Sequence, residues 1–268
     1  MVSVILVTYN SEKFIKETFV RLLKQTYKNI EIIIVDNNSK DNTVKSIKEI
    51  KKDQKIIKND RNIGFARANN QGLKVSKGEY ILTLNHDLYL TPSYIQKIVE
   101  IMDRDLTVGS AQGIYYNNLQ KTKVDSCGIY LNIGYSGNDI KKIPKENKSI
   151  LACCAAAAIY RKSALEDIGF FDIRFVSYYE DLDLGIRLKK EGYTNLLVKS
   201  AYCIHLRGTT DSYKNLKYSL INKYRILKKH KMKKAIRIAK IYDIAKFPIY
   251  YRKNKDFIPE YFKIMRSI

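Results

Sequence analysis

Nowhere in its 268 residues does the chain hold an unbroken apolar run of about eighteen residues, so no transmembrane helix is expected. Met1 leads directly into a β-branched segment, which leaves no room for a secretory leader, and no signal peptide is expected either. Cysteine is scarce: Cys127, Cys153, Cys154 and Cys203 form no C-x-x-C pair. Cys153 and Cys154 are expected to point to opposite faces of a strand, which makes them poor co-ligands. Reduced, buried thiols in a cytosolic protein are the reading. Phosphate-cradling glycine loops are missing too, for the chain holds neither a Walker loop nor G-x-G-x-x-G. Tryptophan is absent altogether. Acid is under-supplied, with 27 Asp+Glu against 49 Lys+Arg and a net charge of +22. Such an excess favours an anionic partner: nucleotide, nucleic acid, phospholipid or lipid pyrophosphate. It is also uneven, because residues 211–268 hold 17 Lys+Arg against 4 Asp+Glu, a net +13.

What is present is an alternation of buried strands and helices. Residues 2–8 (VSVILVT) and 31–35 (EIIIV) are β-branched runs of the kind buried on both faces, and 55–58 and 79–84 are further strands. Helices are expected from Ser11, as a cap, to about residue 25, over 43–51 after Ser39 or Asp41, and over 62–75. Four such alternations predict a doubly wound α/β sheet with right-handed crossovers. Ligands in such sheets sit at the carboxyl ends of strands, where Tyr9-Asn10, Asp36-Asn37, Asn62 and Asn85-His86-Asp87 all fall. Further on, 108–116, 124–133, 151–160 and 194–204 read as strands of a mixed region, and 161–168 and 180–191 as helices. Residues 135–147 read as a polar loop that could move over the site. From Ser212 two or three basic helices are expected, broken near Pro248 and Pro259. The boundary is drawn as residues 1–210 for the main domain and 211–268 for a basic helical extension.

The chemistry-bearing residues follow from those placements. Asp87 ends an apolar strand and is the candidate ligand for Mg²⁺ or Mn²⁺, which take one or two protein carboxylates and fill the rest with phosphate oxygens and water. Asn85 is an acceptor at the same strand end, and His86 should alternate away from both. His205 closes the apolar segment 201–204 and is the candidate second ligand. Glu180 and Asp181 open a helix just after Tyr178-Tyr179; an acid shielded by aromatics can have a raised pKa, and Asp181 is the candidate general base. Asp183 can instead pair with Arg187 four residues on. Asp36 can accept hydrogen bonds from a base or ribose, and the segment from Asn62 through Gly64 to Arg67 offers backbone N–H donors at a helix start.

Taken together, SVILVTYNSE, IIIVDNNSKDNT, NIGFARANNQGL, GEYILTLNHD, IGFFD, YYEDLDLGIRLKKEGY and HLRGTT resemble a family 2 glycosyltransferase of the GT-A fold over roughly residues 2–210. The NIGF segment with N-x-D is most similar to the rhamnosyltransferase-like branch. The resemblance implies a nucleotide-binding N-terminal half, an acceptor-side C-terminal half, a nucleotide-sugar donor and an inverting displacement. It implies that Thr8, Tyr9 and Asn10 line the nucleotide, that Asp36 contacts the base, and that Asn62, Gly64 and Arg67 lie along the nucleotide and its phosphates. The family's D-x-D falls on Asn85-His86-Asp87, its acidic pair on Glu180-Asp181 and its metal-completing histidine on His205. Two departures stand out: the first D-x-D acid is Asn85, and the middle residue is His86. With no tryptophan, the Q-x-x-R-W motif of processive synthases is excluded, which argues for single-sugar or short-run addition.

The expected activity is therefore transfer of a hexose, with rhamnose suggested by the branch, from a dTDP- or UDP-sugar to a hydroxyl of a glycan or polyprenyl-linked acceptor in cell-surface assembly. A cytoplasmic position at the inner face of the cell membrane is expected, with no nucleic-acid partner. In the basic extension, Ile238, Ile241, Tyr242, Ala245 and Ile249 recur at near-helical spacing, a stripe suited to an anionic membrane surface, the catalytic domain or a homodimer contact. The readings from other classes are a sugar-phosphate nucleotidyltransferase, which wants a glycine-rich loop that TYNSEKF does not offer, and a basic nucleic-acid-binding protein.

Overall fold

The structure is a computed structural model that describes residues 1–175, 177–207, 212–253 and 257–267. Its centre is β1 (Val2–Thr8), a seven-residue strand buried along its whole length. β1 pairs in parallel with β2 (Ile30–Asp36) on one side and with β4 (Tyr80–Asn85) on the other. β3 (Ile56–Lys58) adds to β2, again in parallel. Helices α1 (Glu12–Leu23), α2 (Thr43–Ile50) and α3 (Phe65–Val75) make the crossovers between these strands. The chain thus runs outward from β1 to β3 and returns to the opposite side of β1. In sheets of this kind a ligand crevice lies at that reversal, here at the carboxyl ends of β1 and β4.

Beyond β4 the sheet becomes mixed. β11 (Ile159–Arg161) joins β4 and β6 (Val108–Tyr116) antiparallel, and β12 (Thr194–His205) continues beside β6 in parallel. β10 (Lys148–Ile150) closes that edge, while β5 (Leu88–Leu90) pairs with β12 and β7 (Val124–Ser126) with β6, completing ten strands. β8 (Ile129–Leu131) and β9 (Gly137–Asp139) form a separate hairpin. α4 (Tyr94–Arg104), α5 (Lys162–Ile168) and α6 (Glu180–Lys190) complete the main body, and α7 (Ser212–Lys229), α8 (Lys233–Lys253) and α9 (Ile258–Ser267) form the extension.

Five expectations need correction. The segment 124–133 is two strands, because Gly128 at φ +108° turns the chain between β7 and β8. Residues 151–158 form no strand: β11 starts at Ile159 and Ala152 makes only a single bridge to Ile129, so Cys153 and Cys154 lie in a turn-rich stretch held by contacts with neighbouring elements. The polar loop 135–147 contains β9 and the hairpin that it makes with β8. Pro248 sits inside α8 and does not break it. The carbonyl that proline leaves unpaired belongs to Ile244, and both residues are exposed, so water can take the bond. Pro259 is in the first turn of α9, where its missing N–H costs nothing. Ser11 does stand at the start of α1, but its hydroxyl accepts from the Tyr9 N–H at 3.0 Å and caps nothing. The boundary at residues 210–211 and the end of HLRGTT lie outside the described residues.

The extension shares a core with the main body. Leu220, Tyr224, Leu227, Ala239 and Tyr261 pack in one cluster with Tyr179 and Leu182. Inside it Lys223 and Asp243 meet at 2.6 Å, and the Tyr224 hydroxyl donates to the other side of the same carboxylate at 2.7 Å. Burial pushes the Lys223 amine down, opposed by the Asp243 charge. Asp243→Ala should destabilise the protein by about 3–5 kcal/mol in urea unfolding, because it strands a buried ammonium; replacing both residues by apolar ones should cost much less.

Candidate active site

The nucleotide-side candidates gather at the crevice. Thr8 is buried and donates to Asp36 Oδ1 at 2.8 Å; Ser39 donates to the same oxygen through its hydroxyl at 2.6 Å and to Oδ2 through its N–H at 3.0 Å. Asp36 therefore ties the ends of β1 and β2 to the loop after β2, and this shapes the rim. Tyr9, 45% exposed, offers an open ring face at the rim, of the kind on which a base can stack. Asn10 takes a left-handed φ of 47° and accepts from the Lys40 N–H at 2.8 Å. Asn62 accepts from the Gly64 N–H at 2.9 Å. Gly64 takes φ +87° there, a conformation a side chain would oppose, and it opens α3. Arg67 is exposed one turn in. Asn85, at the end of β4, donates its N–H to the Ala156 carbonyl at 2.8 Å, which leaves its half-buried side chain at the crevice.

The expected metal-side pair does come together. His205 Nε2 lies 3.6 Å from Asp87 Oδ1, because β5, directly after Asp87, pairs with the end of β12 and sets Leu88 opposite His205. The other ring nitrogen, Nδ1, is 2.8 Å from Asp125 Oδ2. A carboxylate there can hold a proton on Nδ1, the arrangement that would free Nε2 to ligate when a cation is bound beside Asp87. Burial works to raise the Asp125 carboxyl, but the hydrogen bond from His205 and the charges of His205 and Arg207 hold it below the usual range. The His86 ring lies 6.4 Å from that of Phe14, centroid to centroid. Among the described residues no group of three or more His, Cys, Asp or Glu converges as a self-sufficient metal cage. One carboxylate and one imidazole, with a carboxylate behind the imidazole, could serve a cation only in an open site completed by a ligand's oxygens.

The acidic pair opens α6 as expected. Glu180 is buried, and its Oε2 has no hydrogen-bond partner among the described residues. Burial first, then the Asp181 charge, push its carboxyl well above the ordinary value, which favours the protonated form. Asp181 accepts N–H groups from Ala155 at 3.2 Å and Leu182 at 2.8 Å. Burial still raises it, to about 6, against those bonds and with help from the Asp139 charge. The two tyrosines before the pair both adopt left-handed φ, 67° at Tyr178 and 74° at Tyr179. That strained turn is held from the extension: buried Asn222 of α7 donates to the carbonyls of Ser177 and Tyr178 at 2.8 and 2.9 Å. Asp183 plays the other part expected of it, pairing with Arg187 at 2.8 Å, and it also takes Lys229 at 2.8 Å and His230 at 3.0 Å.

One line of charge joins the two clusters. Arg207 bonds Asp125 at 2.7 Å and Asp139 at 3.1 Å, and Lys141 lies 3.7 and 3.6 Å from the same two carboxylates. Asp139 in turn is the residue whose charge reaches Asp181.

A family profile described as Glycosyl transferase family 2 matches residues 3–169. The chain belongs to glycosyl transferase family 2. It is 34% identical over 163 residues, 60% of the chain and 48% of the relative, to an uncharacterized glycosyltransferase of Haemophilus influenzae. It is 27% identical over 206 residues, 75% of the chain and 49% of the relative, to a poly-beta-1,6-N-acetyl-D-glucosamine synthase of Staphylococcus epidermidis. Over 116 residues, 43% of the chain and 46% of the relative, it is 40% identical to the Escherichia coli UDP-Glc:alpha-D-GlcNAc-diphosphoundecaprenol beta-1,3-glucosyltransferase WfaP. The chain spans about half the length of these curated relatives. Among solved structures, TarS 1-349 of S. aureus in complex with UDP superposes with a TM-score of 0.67 at 17% identity, over 98% of the chain and 78% of TarS 1-349. The mannosyltransferase PcManGT of Pyrobaculum calidifontis, in complex with GDP-Man and Mn²⁺, gives 0.66 at 17% identity over 85% and 63%. Those identities speak for the fold, and the fold is of the GT-A type.

In this glycosyltransferase, reading the sequence missed Asp125, Asp139, Lys141, Arg207 and Asn222. Asp125 carried a faint signal, an acid inside a stretch read as strand; the others are polar residues on segments read as loop or basic helix. The network makes a direct prediction. The Asp181 carboxyl, followed by NMR of the labelled side chain, should titrate near 6. Asp139→Asn should move that midpoint down, since the Asp139 charge raises it.

Proposed function

We propose that this family 2 glycosyltransferase transfers a hexose from a nucleoside-diphosphate sugar, UDP- or dTDP-linked, to a hydroxyl of a glycan or lipid-linked glycan in cell-surface assembly, with inversion. The observation that carries the reading is the raised, partly buried Asp181 carboxyl, joined through Asp139, Arg207, Asp125 and His205 to Asp87 at the crevice. The uridine-diphosphate chemistry named for WfaP and for the TarS complex supports the donor class, and the diphosphoundecaprenol named for WfaP supports the acceptor class. Residues 1–210 are read as the catalytic unit and 211–268 as an extension that buttresses it.

In this reading Thr8, Tyr9, Asn10 and Asp36 shape the base and ribose end, while Asn62, Gly64, Arg67 and Asn85 border the diphosphate. Asp87 and His205 would hold a divalent cation, Mg²⁺ or Mn²⁺. A bound cation supplies charge neutralisation for the departing diphosphate, a Lewis-acid role worth several kcal/mol. Asp125 keeps the His205 lone pair pointed to that place. Asp181 takes the acceptor hydroxyl proton as the oxygen forms its bond to the anomeric carbon. The bond from that carbon to the diphosphate oxygen breaks on the opposite face, and the electron pair leaves with the diphosphate. Burial and the Asp181 charge both work against a second negative charge on Glu180 beside the base. A single displacement of this kind inverts the anomeric centre.

Asp181→Asn should retain UDP binding and lose turnover by about 10²–10⁴-fold, because the amide keeps the shape and cannot take a proton. In the wild type the base works deprotonated, so turnover should rise with pH through a midpoint near 6. Asp125→Asn should weaken Mn²⁺-dependent UDP binding by about 10–100-fold in calorimetry while metal-free binding is unchanged. Wild-type turnover by Asp181→Asn, or retention of anomeric configuration by NMR of the product, overturns the mechanism.

A further inference from the structure

α8 faces the wrong way for an ordinary surface helix. Its inward face is built from Ala235, Ala239 and Asp243, all buried. Its isoleucines point outward: Ile241 and Ile244 are 71% and 62% exposed, and Ile238 and Ile249 are nearly half exposed. With exposed Ala245 and Pro248 they cover an arc of roughly 140° at 3.6 residues per turn. Tyr242, expected in the same stripe, is not on it; it turns in against Gly134 of the hairpin. Lys233, Lys234 and Arg237 are exposed at one end of the stripe and Arg252 at the other. The only acid of α8 is Asp243, which is buried against Lys223, so the outer face carries cations and no anion.

We propose that this outer face of α8 lies in the interface of an anionic phospholipid bilayer, the isoleucines entering the acyl boundary and the flanking cations meeting lipid phosphates. Charge decides among the occupants. A second copy of the chain would bring one cationic stripe onto another, within an extension of net +13. An anionic bilayer neutralises that charge and covers the apolar face at once. Attachment need not be a span, and among the described residues no helix is long and apolar enough to cross a membrane.

The placement also gives the surface a direction. The inward side of α8 packs on the β8–β9 hairpin through Tyr242 and Gly134, and Lys223, held by Asp243, reaches the Gly134 carbonyl at 3.3 Å. That hairpin ends at Asp139, the residue whose charge reaches Asp181. A bilayer against α8 would thus lie on the outer side of the helix that packs on this hairpin.

The test is sedimentation of the full chain with vesicles of phosphatidylcholine alone and of phosphatidylcholine mixed with phosphatidylglycerol, at low and high salt. Wild-type protein should bind the anionic vesicles and release as salt rises. Ile241→Glu with Ile244→Glu, both exposed and so compatible with folding, should weaken binding at least about tenfold. Lys234→Gln with Arg237→Gln should weaken it as well and flatten the salt dependence. Unchanged thermal melting and UDP binding in both double variants would separate this result from any failure of the glycosyltransferase reading. Equal vesicle binding by the Ile variant, no binding by wild type at low salt, or a wild-type dimer in sedimentation velocity that the Ile variant dissolves would overturn the proposal.

Discussion

Everything at the candidate site depends on β1 being paired in parallel on both sides. Strands that run the same way end at the same edge, so the register of Thr8 with Asp36 and of Val7 with Asn85 sets three polar chain ends within one crevice. An antiparallel neighbour at either position would have sent one of those ends to the far edge of the sheet. The apolar content of β1 is what enforces the arrangement, since a strand buried along its whole length needs a partner and a covering helix on every side.

The acidic pair depends on a second constraint, which comes from the extension. Two consecutive tyrosines in left-handed backbone are unfavourable unless the surroundings fix them. Asn222 supplies two hydrogen bonds to the turn, Tyr179 and Leu182 sit in the cluster built by α7, α8 and α9, and Lys229 and His230 clasp Asp183 two residues beyond the candidate base. Burial works to raise the Asp183 carboxyl, yet His230, Arg187 and Lys229 hold it low, so it stays ionised and keeps that clasp closed. The same helices that read as a charged appendage thus hold the turn that presents Glu180 and Asp181.

Several elements were legible in the residues, and the reason is local. β1, β2 and β4 announce themselves as β-branched runs, and the ends of those runs carry Thr8, Asp36, Asn85 and Asp87, so topology alone brings them to one edge. α6 and its Glu180-Asp181 start are likewise written in the chain. The stretch 151–158 misled because its small apolar residues, Ala155 to Ala158 among them, have strand-like burial without forming a strand: they pack against β4, α4 and β6, whose Thr83, Tyr94 and Tyr115 side chains bond to carbonyls and an N–H of the stretch. Pro248 misled because a helix-breaking residue costs little where water can reach the freed carbonyl.

The sequence by itself determined the parallel half of the sheet and which polar residues stand at the carboxyl ends of its strands. Those depend on hydrophobic periodicity and on strand ends, which are properties of short segments. Only the tertiary structure decided that Asp125 stands behind His205, that Arg207 and Asp139 carry charge from there toward Asp181, and that α8 turns its isoleucines outward. Each of these joins residues distant in the chain: Asp125 and His205 are 80 positions apart. Which side of a helix is buried is settled by what it packs against, and in α8 that side carries Ala235, Ala239 and the Lys223–Asp243 pair together.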